Sequence, residues 1–203
     1  NANLADATFN SINAGQAASV TGAISGNSGV VIMTQSAGVL NITLNATSGA
    51  NTYTGNTTIS TANATLTLGK ADQISNGAGK GNLIINSGTF KMGGFSDTIN
   101  GLLGNGTVDG VSGTPTLTVG DNDATSTFSG VIKNTAGTLA LTKIGTGTLT
   151  LSGNNTYSGG TTINTGNANG KIYANVYFRL LDRQLRKFNI NDFTPVIRER
   201  LLA

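Results

Sequence analysis

A short internal repeat is the feature of this sequence that most constrains its fold. Setting Tyr53 against Tyr157 aligns GANTYTGNTTIST (49–61), without gaps, to the matching part of GTLTLSGNNTYSGGTTINTG (147–166). The aligned glycine, tyrosine and threonine-threonine-isoleucine positions are identical. A repeated turn plus strand indicates stacked repeats, because one such unit cannot bury its own apolar face.

Short apolar runs between glycine, serine and asparagine turns fill the chain up to about residue 170. Leu40, Ile42 and Leu44 alternate with polar residues, and this period of two places the aliphatic side chains on one face of a strand. Glycine and asparagine fit the tight corners because both tolerate a positive φ. The prediction is an all-β parallel solenoid; a Greek-key sandwich does not explain near-identical copies of a turn plus strand.

The composition excludes several classes of function. The chain has no cysteine, so disulfides and thiolate metal sites are excluded, and no histidine, the usual general base. Charged residues make up 10 % of the chain, well below the roughly 25 % of a typical globular protein. No apolar run approaches the roughly 18 residues that a membrane-spanning helix requires. We therefore expect a protein without cofactors, catalytic residues or a transmembrane segment.

The charge distribution divides the chain near Gly170. Residues 1–170 hold five lysines and no arginine against six aspartates, whereas residues 171–203 hold seven lysines and arginines against three acids. The predicted organisation is a solenoid of irregular repeats over residues 1–166, a linker at 167–170 and a basic amphipathic tail at 171–203.

The tail has a helical pattern from about Phe178 onward. Apolar residues recur there at spacings of three and four, with arginines on the opposite face. A solenoid end needs a cap, and a basic amphipathic helix also fits a partner's groove, so the tail is interpreted as a cap, a docking segment or a fusion. The predicted docking residues are Phe178, Leu181, Leu185, Phe188, Arg183 and Arg186. The small basic face does not favour nucleic acid or a membrane surface.

Two further patterns suggest weaker hypotheses. Asp121 and Asp123 form the one close carboxylate pair, a weak calcium candidate, since calcium requires six or more oxygen ligands and a polar turn is the simpler interpretation. Thr-Leu-Thr occurs at 65–67, 116–118 and 148–150. If these three segments stacked in register, their threonines would form a flat array of the kind that ice-binding solenoids use. Plain solvent-facing threonine is the simpler alternative.

The sequence also resembles a known family. GGFSDTINGLLGNGTV (93–108), TPTLTVGDNDATSTFSGVIKN (114–134), LTKIGTGTLTLSGNNTYSGGTTINTG (141–166) and GANTYTGNTTIST (49–61) look like the passenger-associated strand repeat of bacterial autotransporters. The resemblance covers roughly residues 30–166. It implies a right-handed parallel β-helix, exported and displayed outside the outer membrane, and the repeat contributes no catalytic residues.

The expected function is therefore non-catalytic: an extracellular structural or adhesive spacer on a bacterial cell surface. Its expected partner is a protein or a surface glycan. The alternative is an assembly subunit of an extracellular filament or a phage particle, located on a virion surface in the second case, which associates through residues 171–203. A polysaccharide-processing enzyme is disfavoured, because histidine is absent and the carboxylates are sparse.

Overall fold

The structure is a computed structural model that describes residues 6–170, apart from residues 12, 14, 36, 37 and 166. The described residues contain strands and turns but no helix. The strands are β1 (Ala7–Ser11), β2 (Gln16–Val20), β3 (Val30–Thr34), β4 (Leu40–Leu44), β5 (Thr57–Ile59), β6 (Ala64–Leu68), β7 (Leu83–Ile85), β8 (Thr89–Lys91), β9 (Asp97–Ile99), β10 (Leu102–Gly104), β11 (Thr107–Gly110), β12 (Thr116–Val119), β13 (Ser126–Phe128), β14 (Val131–Asn134), β15 (Ala140–Lys143), β16 (Thr148–Leu151), β17 (Thr161–Ile163) and β18 (Asn167–Gly170).

The strands form three sheets, and every pairing between them is parallel. Sheet I has the order β1-β3-β5-β7-β10-β13-β16-β18, sheet II the order β14-β11-β8-β6-β4-β2, and sheet III the order β17-β15-β12-β9. One turn of the coil visits the sheets in succession, as β10, β11 and β12 do, and the next turn stacks on it. This is a parallel β-solenoid, as the sequence predicted, and its eight rungs in sheet I extend on the order of 30 Å at the usual strand spacing.

The alternation seen in the sequence places aliphatic side chains inside the coil. In β4, Leu40, Ile42 and Leu44 are buried and the residues between them are partly exposed. Stacked strands repeat this choice, so each inward position extends into a column along the solenoid. The inward column of sheet II is Ile42, Leu66, Phe90, Val108 and Ile132. Each such side chain contributes roughly 1.5–3 kcal/mol through burial, and this drives the stacking of units that are unstable alone.

Glycine is required where successive turns of the backbone touch. Gly29, Gly55 and Gly81 lie at one corner, on three consecutive turns of the coil. A Cβ on Gly55 would overlap the backbone of Gly29, and a Cβ on Gly81 would overlap the backbone of Gly55. Close backbone approach, rather than flexibility, explains part of the high glycine content.

The third side of the coil changes character along the chain. Sheet III begins only at β9, so the earlier turns close that side with the loops 21–29, 45–56 and 69–82. These loops also stack by backbone hydrogen bonds, for example from the Thr52 amide to the Ile24 carbonyl at 2.8 Å. The boundary between loop 69–82 and β9 is therefore a junction between two ways of closing one side.

The end of the described region extends the solenoid beyond the predicted boundary. Residues 167–170, assigned to a linker by the sequence analysis, form β18, which pairs in register with β16. The segment lacks an apolar alternation, but a strand can join a sheet edge through its backbone hydrogen bonds alone. The predicted helical tail, 171–203, lies outside the described residues.

Candidate functional site

The repeated motif is a structural module that joins consecutive turns of the coil. Asn51 and Asn155 occupy equivalent positions in its two copies, and both are buried. The Oδ1 atom of Asn51 accepts a hydrogen bond from the Ile24 amide, and that of Asn155 accepts one from the Ile132 amide, each at 2.8 Å. Each asparagine thus replaces a backbone carbonyl as the acceptor for the preceding turn.

The tyrosine of the motif makes a second buried contact. Tyr53 bonds the hydroxyl of Thr57, and Tyr157 bonds the hydroxyl of Thr161 at 2.7 Å, four residues onward in both cases. Tyr53 also accepts a hydrogen bond from the Ser75 amide at 3.3 Å. Burial raises the pKa of both tyrosines, so both stay neutral. The sequence correctly predicted buried tyrosines but did not identify their threonine partners.

Loop 69–82 is held by an internal polar network that sequence reasoning missed. The Nδ2 atom of Asn51 donates to the Gln73 carbonyl at 2.7 Å, and Gln73 Oε1 accepts from the Ala46 amide at 2.7 Å. The amides of Gln73 and Ile74 donate to Asp97 Oδ2 at 2.7 and 3.2 Å. Three polar side chains on successive turns therefore provide the bonds that strands provide elsewhere.

Asp97 is the chemically unusual member of this network. It is 1 % exposed, and its Oδ1 atom has no hydrogen-bond partner among the described residues. Burial raises the pKa of Asp97 to about 7, and the nearby carboxylate of Asp72 adds to this effect, against the opposing hydrogen bonds from the backbone. A carboxyl group that titrates near neutrality commonly marks a functional site, but this group lies in the core and not in a cleft.

The calcium candidate is a tight turn next to β12. Asn122 and Asp123 have φ values of 97° and 61°, which asparagine and aspartate tolerate better than most residues. Asp123 Oδ1 accepts a hydrogen bond from the Thr146 amide at 2.6 Å, and this bond lowers the pKa of Asp123. One of the two candidate carboxylates therefore already has a partner in the next turn of the coil.

A lysine ammonium group lies beside this turn. Lys143 occupies an inward position in register with Val119 and Ile163, and it is 1 % exposed. Its Nζ atom donates to the carbonyls of Ile144 and Gly145. Burial lowers the pKa of Lys143, and the charge of Asp123 opposes this shift. Among the described residues, no three acidic, histidine or cysteine side chains group as metal ligands.

The three Thr-Leu-Thr segments do not form one array. Residues 65–67 lie in sheet II, 116–118 in sheet III and 148–150 in sheet I, so the prediction that they stack on one another was wrong. The number of residues per turn varies: Leu102 pairs with Leu83, 19 residues earlier, whereas Thr57 pairs with Val30, 27 residues earlier. With such variation, equal motifs at unequal spacings fall on different sides.

A different set of threonines does align on the outside of sheet III. Thr98, Thr118, Thr142 and Thr162 are paired in register on four successive strands and are all partly exposed. We call this set the threonine column. Its hydroxyl groups repeat at roughly 4.8 Å, the spacing of neighbouring strands. It forms a flat polar stripe without charged side chains at its own positions.

The outside of sheet II carries charge instead. Lys91, Asp109 and Lys133 are neighbours in register on β8, β11 and β14. Lys133 Nζ lies 3.4 Å from Asp109 Oδ2, and Asp109 also accepts hydrogen bonds from Thr135. This ladder satisfies its own charges and contributes little net attraction for a partner.

The predicted docking residues of the tail, Phe178, Leu181, Leu185, Phe188, Arg183 and Arg186, lie outside the described residues. Docking through the tail therefore stays a prediction. Within the described part of the chain there is no helix with the length and apolarity to cross a membrane.

The fold and the repeated module define a class: a parallel β-solenoid built from passenger-type repeats. Residues 141–167 match the family model described as passenger-associated-transport-repeat, which confirms the resemblance found in the sequence. This segment runs from β15 to the beginning of β18 and includes the second Asn-Tyr-Thr module.

A curated relative points the same way. The chain is 39 % identical over 127 residues to a protein named adhesin BmaC autotransporter from Brucella suis biovar 1 (strain 1330). The match covers 59 % of this chain and 4 % of that protein. No solved structure matches the chain significantly. Neither the family model nor the relative supports the filament, phage-particle or virion alternatives.

Proposed function

We propose that this chain is part of an extracellular, non-catalytic adhesive passenger on a bacterial surface, in which the solenoid is a rigid spacer. The observation that carries the proposal is the passenger repeat at 141–167, which lies within an uninterrupted parallel coil. A relative named as an autotransporter adhesin supports the same assignment. The chain corresponds to a small part of that relative, so the partner of the whole protein is inferred here only by chemical class.

The lateral face of sheet III is the surface that we assign to the partner. The threonine column offers hydroxyl donors and acceptors at a regular spacing, and it lacks the internal ion pair that occupies the outer face of sheet II. A flat hydroxyl array fits a polar, extended partner, which is a glycan or the edge of a protein surface. Binding there requires no change in the coil.

The test is binding of the purified 203-residue chain to arrayed glycans and extracellular-matrix proteins. Thr118→Lys with Thr142→Lys places two large charges on the threonine column, and we expect these substitutions to abolish binding. The matched control is Thr65→Lys with Thr89→Lys, an in-register outward pair on sheet II, which should bind normally. Equal loss in both variants, or turnover of a bound glycan, would contradict the assignment.

Docking through the tail is a separate proposal that rests on its sequence pattern. Deleting residues 171–203 should leave a folded solenoid that no longer associates with its partner subunit or with itself. Sedimentation velocity of the full and shortened chains measures this. An unchanged oligomeric state after deletion would leave the tail as a cap or a fusion.

A further inference from the structure

The junction between loop 69–82 and sheet III depends on one buried carboxyl group. Asp97 begins β9, where it is paired in register with Leu117 of β12. On its other side, loop 69–82 offers two backbone amides, Gln73 and Ile74, and both donate to Asp97 Oδ2. The side chain thus supplies the acceptor that a neighbouring strand's carbonyl supplies in regular rungs.

No positive charge balances this group if it ionises. Loop 69–82 presents Asp72, another carboxylate, and loop 45–56 presents the hydroxyl of Tyr53, on which the charge of Asp97 also acts. The neighbour in β12 is the apolar Leu117. The ion pair between Lys133 and Asp109 is on the outer face of sheet II, away from this junction. An ionised Asp97 would therefore be a buried, unpaired charge, which is costly.

We propose that Asp97 is a proton-binding site that controls the junction between loop 69–82 and β9. With the carboxyl group neutral, Oδ2 accepts both amide hydrogen bonds without burying a charge, and the junction is closed. When the group ionises, the folded form carries the cost of a desolvated carboxylate with Asp72 nearby. Local opening, which lets water reach Asp97, relieves that cost.

The sign of the pH dependence follows from the raised pKa. Asp97 titrates at about 7 when folded, against an ordinary value of 3.8, so the closed form binds the proton more tightly than the open form. The contribution of Asp97 is fully present below about pH 4 and is lost as the pH rises through 7. From pH 5 to pH 8 the equilibrium for local opening should increase by up to about a hundredfold.

Neutral hydrogen bonds limit the opening to the first part of the loop. Asn76 Nδ2 donates to the Thr98 carbonyl at 2.5 Å, and Asn100 bonds Gly77 through both atoms of its amide. None of these groups titrates between pH 5 and pH 8. The pH-dependent segment is therefore residues 72–74, with the rest of the loop held in place.

The direct test is a titration of the Asp97 side-chain carboxyl carbon by ¹³C NMR in the full 203-residue chain. A midpoint near pH 7 is expected. A midpoint near pH 4 would overturn the proposal, because the group would then be ionised under all relevant conditions. This measurement needs no substitution, so it decides the question even if a variant fails to fold.

Hydrogen exchange tests the consequence for the loop. After correction for intrinsic exchange, protection of the Gln73 and Ile74 amides should fall by up to about a hundredfold between pH 5 and pH 8. Asp97→Asn keeps an acceptor oxygen but cannot ionise, so its protection should not change with pH. Asp123→Asn, an exposed carboxylate that also accepts a backbone amide, should behave like the parent chain. Constant protection in the parent, or the same fall in Asp97→Asn, would refute the proton-binding role.

Discussion

The buried Tyr-Thr hydrogen bond of the repeated module offers a quantitative test, because the chain contains two copies with different surroundings. In the second copy, Tyr157 has one polar partner, Thr161. In the first copy, Tyr53 has two, the Thr57 hydroxyl and the Ser75 amide. All three partners are at most 5 % exposed, so water cannot replace a lost bond without local opening. Tyrosine→phenylalanine should therefore cost more in the first copy.

The magnitudes follow from the groups left unpaired. A buried polar group without its partner costs roughly 1–3 kcal/mol. Tyr157→Phe leaves one such group and should destabilise its turn by about 1–2 kcal/mol. Tyr53→Phe leaves two and should destabilise its turn by about 2–4 kcal/mol. Adding Thr161→Val to Tyr157→Phe removes the orphaned hydroxyl, so the double variant should be less destabilised than the two single effects combined.

The assay should be local, because a stack of repeats need not unfold in one step. Native-state hydrogen exchange reports each turn, and 1.4 kcal/mol corresponds to a tenfold loss of protection. The Ser75 amide and the amides of β5 and β7 report the first copy, whereas β15 and β17 report the second. Equal losses in the two copies, or a double variant at the sum of its singles, would refute the argument that these hydroxyl pairs stabilise the coil.

Two other predictions use matched features of the structure. Gly159→Ala should destabilise the second copy strongly, because the added Cβ overlaps the Leu139 carbonyl, whereas Gly160→Ala meets no atom within 4 Å and should be tolerated; thermal unfolding compares them. Calcium and EDTA should leave the unfolding temperature unchanged, because the Asp121–Asp123 turn is bonded to Thr146 and lies beside the Lys143 ammonium. A calcium-dependent rise that Asp121→Asn removes would instead establish a metal site there.

The fold was predictable because its two determinants are written in the local sequence. Alternation such as that of Leu40, Ile42 and Leu44 specifies which face is buried, and strands β4 and β6 follow it. The repeated module then requires stacking, since a single turn leaves its apolar face in water. Both rules act within a few residues, so a reading of the chain without structure finds them.

The internal polar groups were not predictable by the same rules. Gln73 and Asp97 lie in stretches of polar and small residues that resemble ordinary turns, and only the stacking of loop 69–82 on β9 turns them inward. Lys143 follows Leu141 in a normal alternation, but its inward position is visible only from its register with Val119. Such assignments depend on contacts between turns of the coil, which are separated by some twenty residues of variable loop.

The outward positions set a different limit on what the sequence can tell. Inside the coil, each column is constrained by packing, and a wrong side chain leaves a cavity or an unpaired polar group. Outside, Thr118 and its neighbours in the threonine column contact only adjacent rungs, so many polar residues would satisfy the fold equally well. A regular stripe of one residue type at positions that the fold leaves free is therefore informative about binding. The same freedom means that the stripe indicates the chemistry of a partner, which is polar and extended, without specifying its identity.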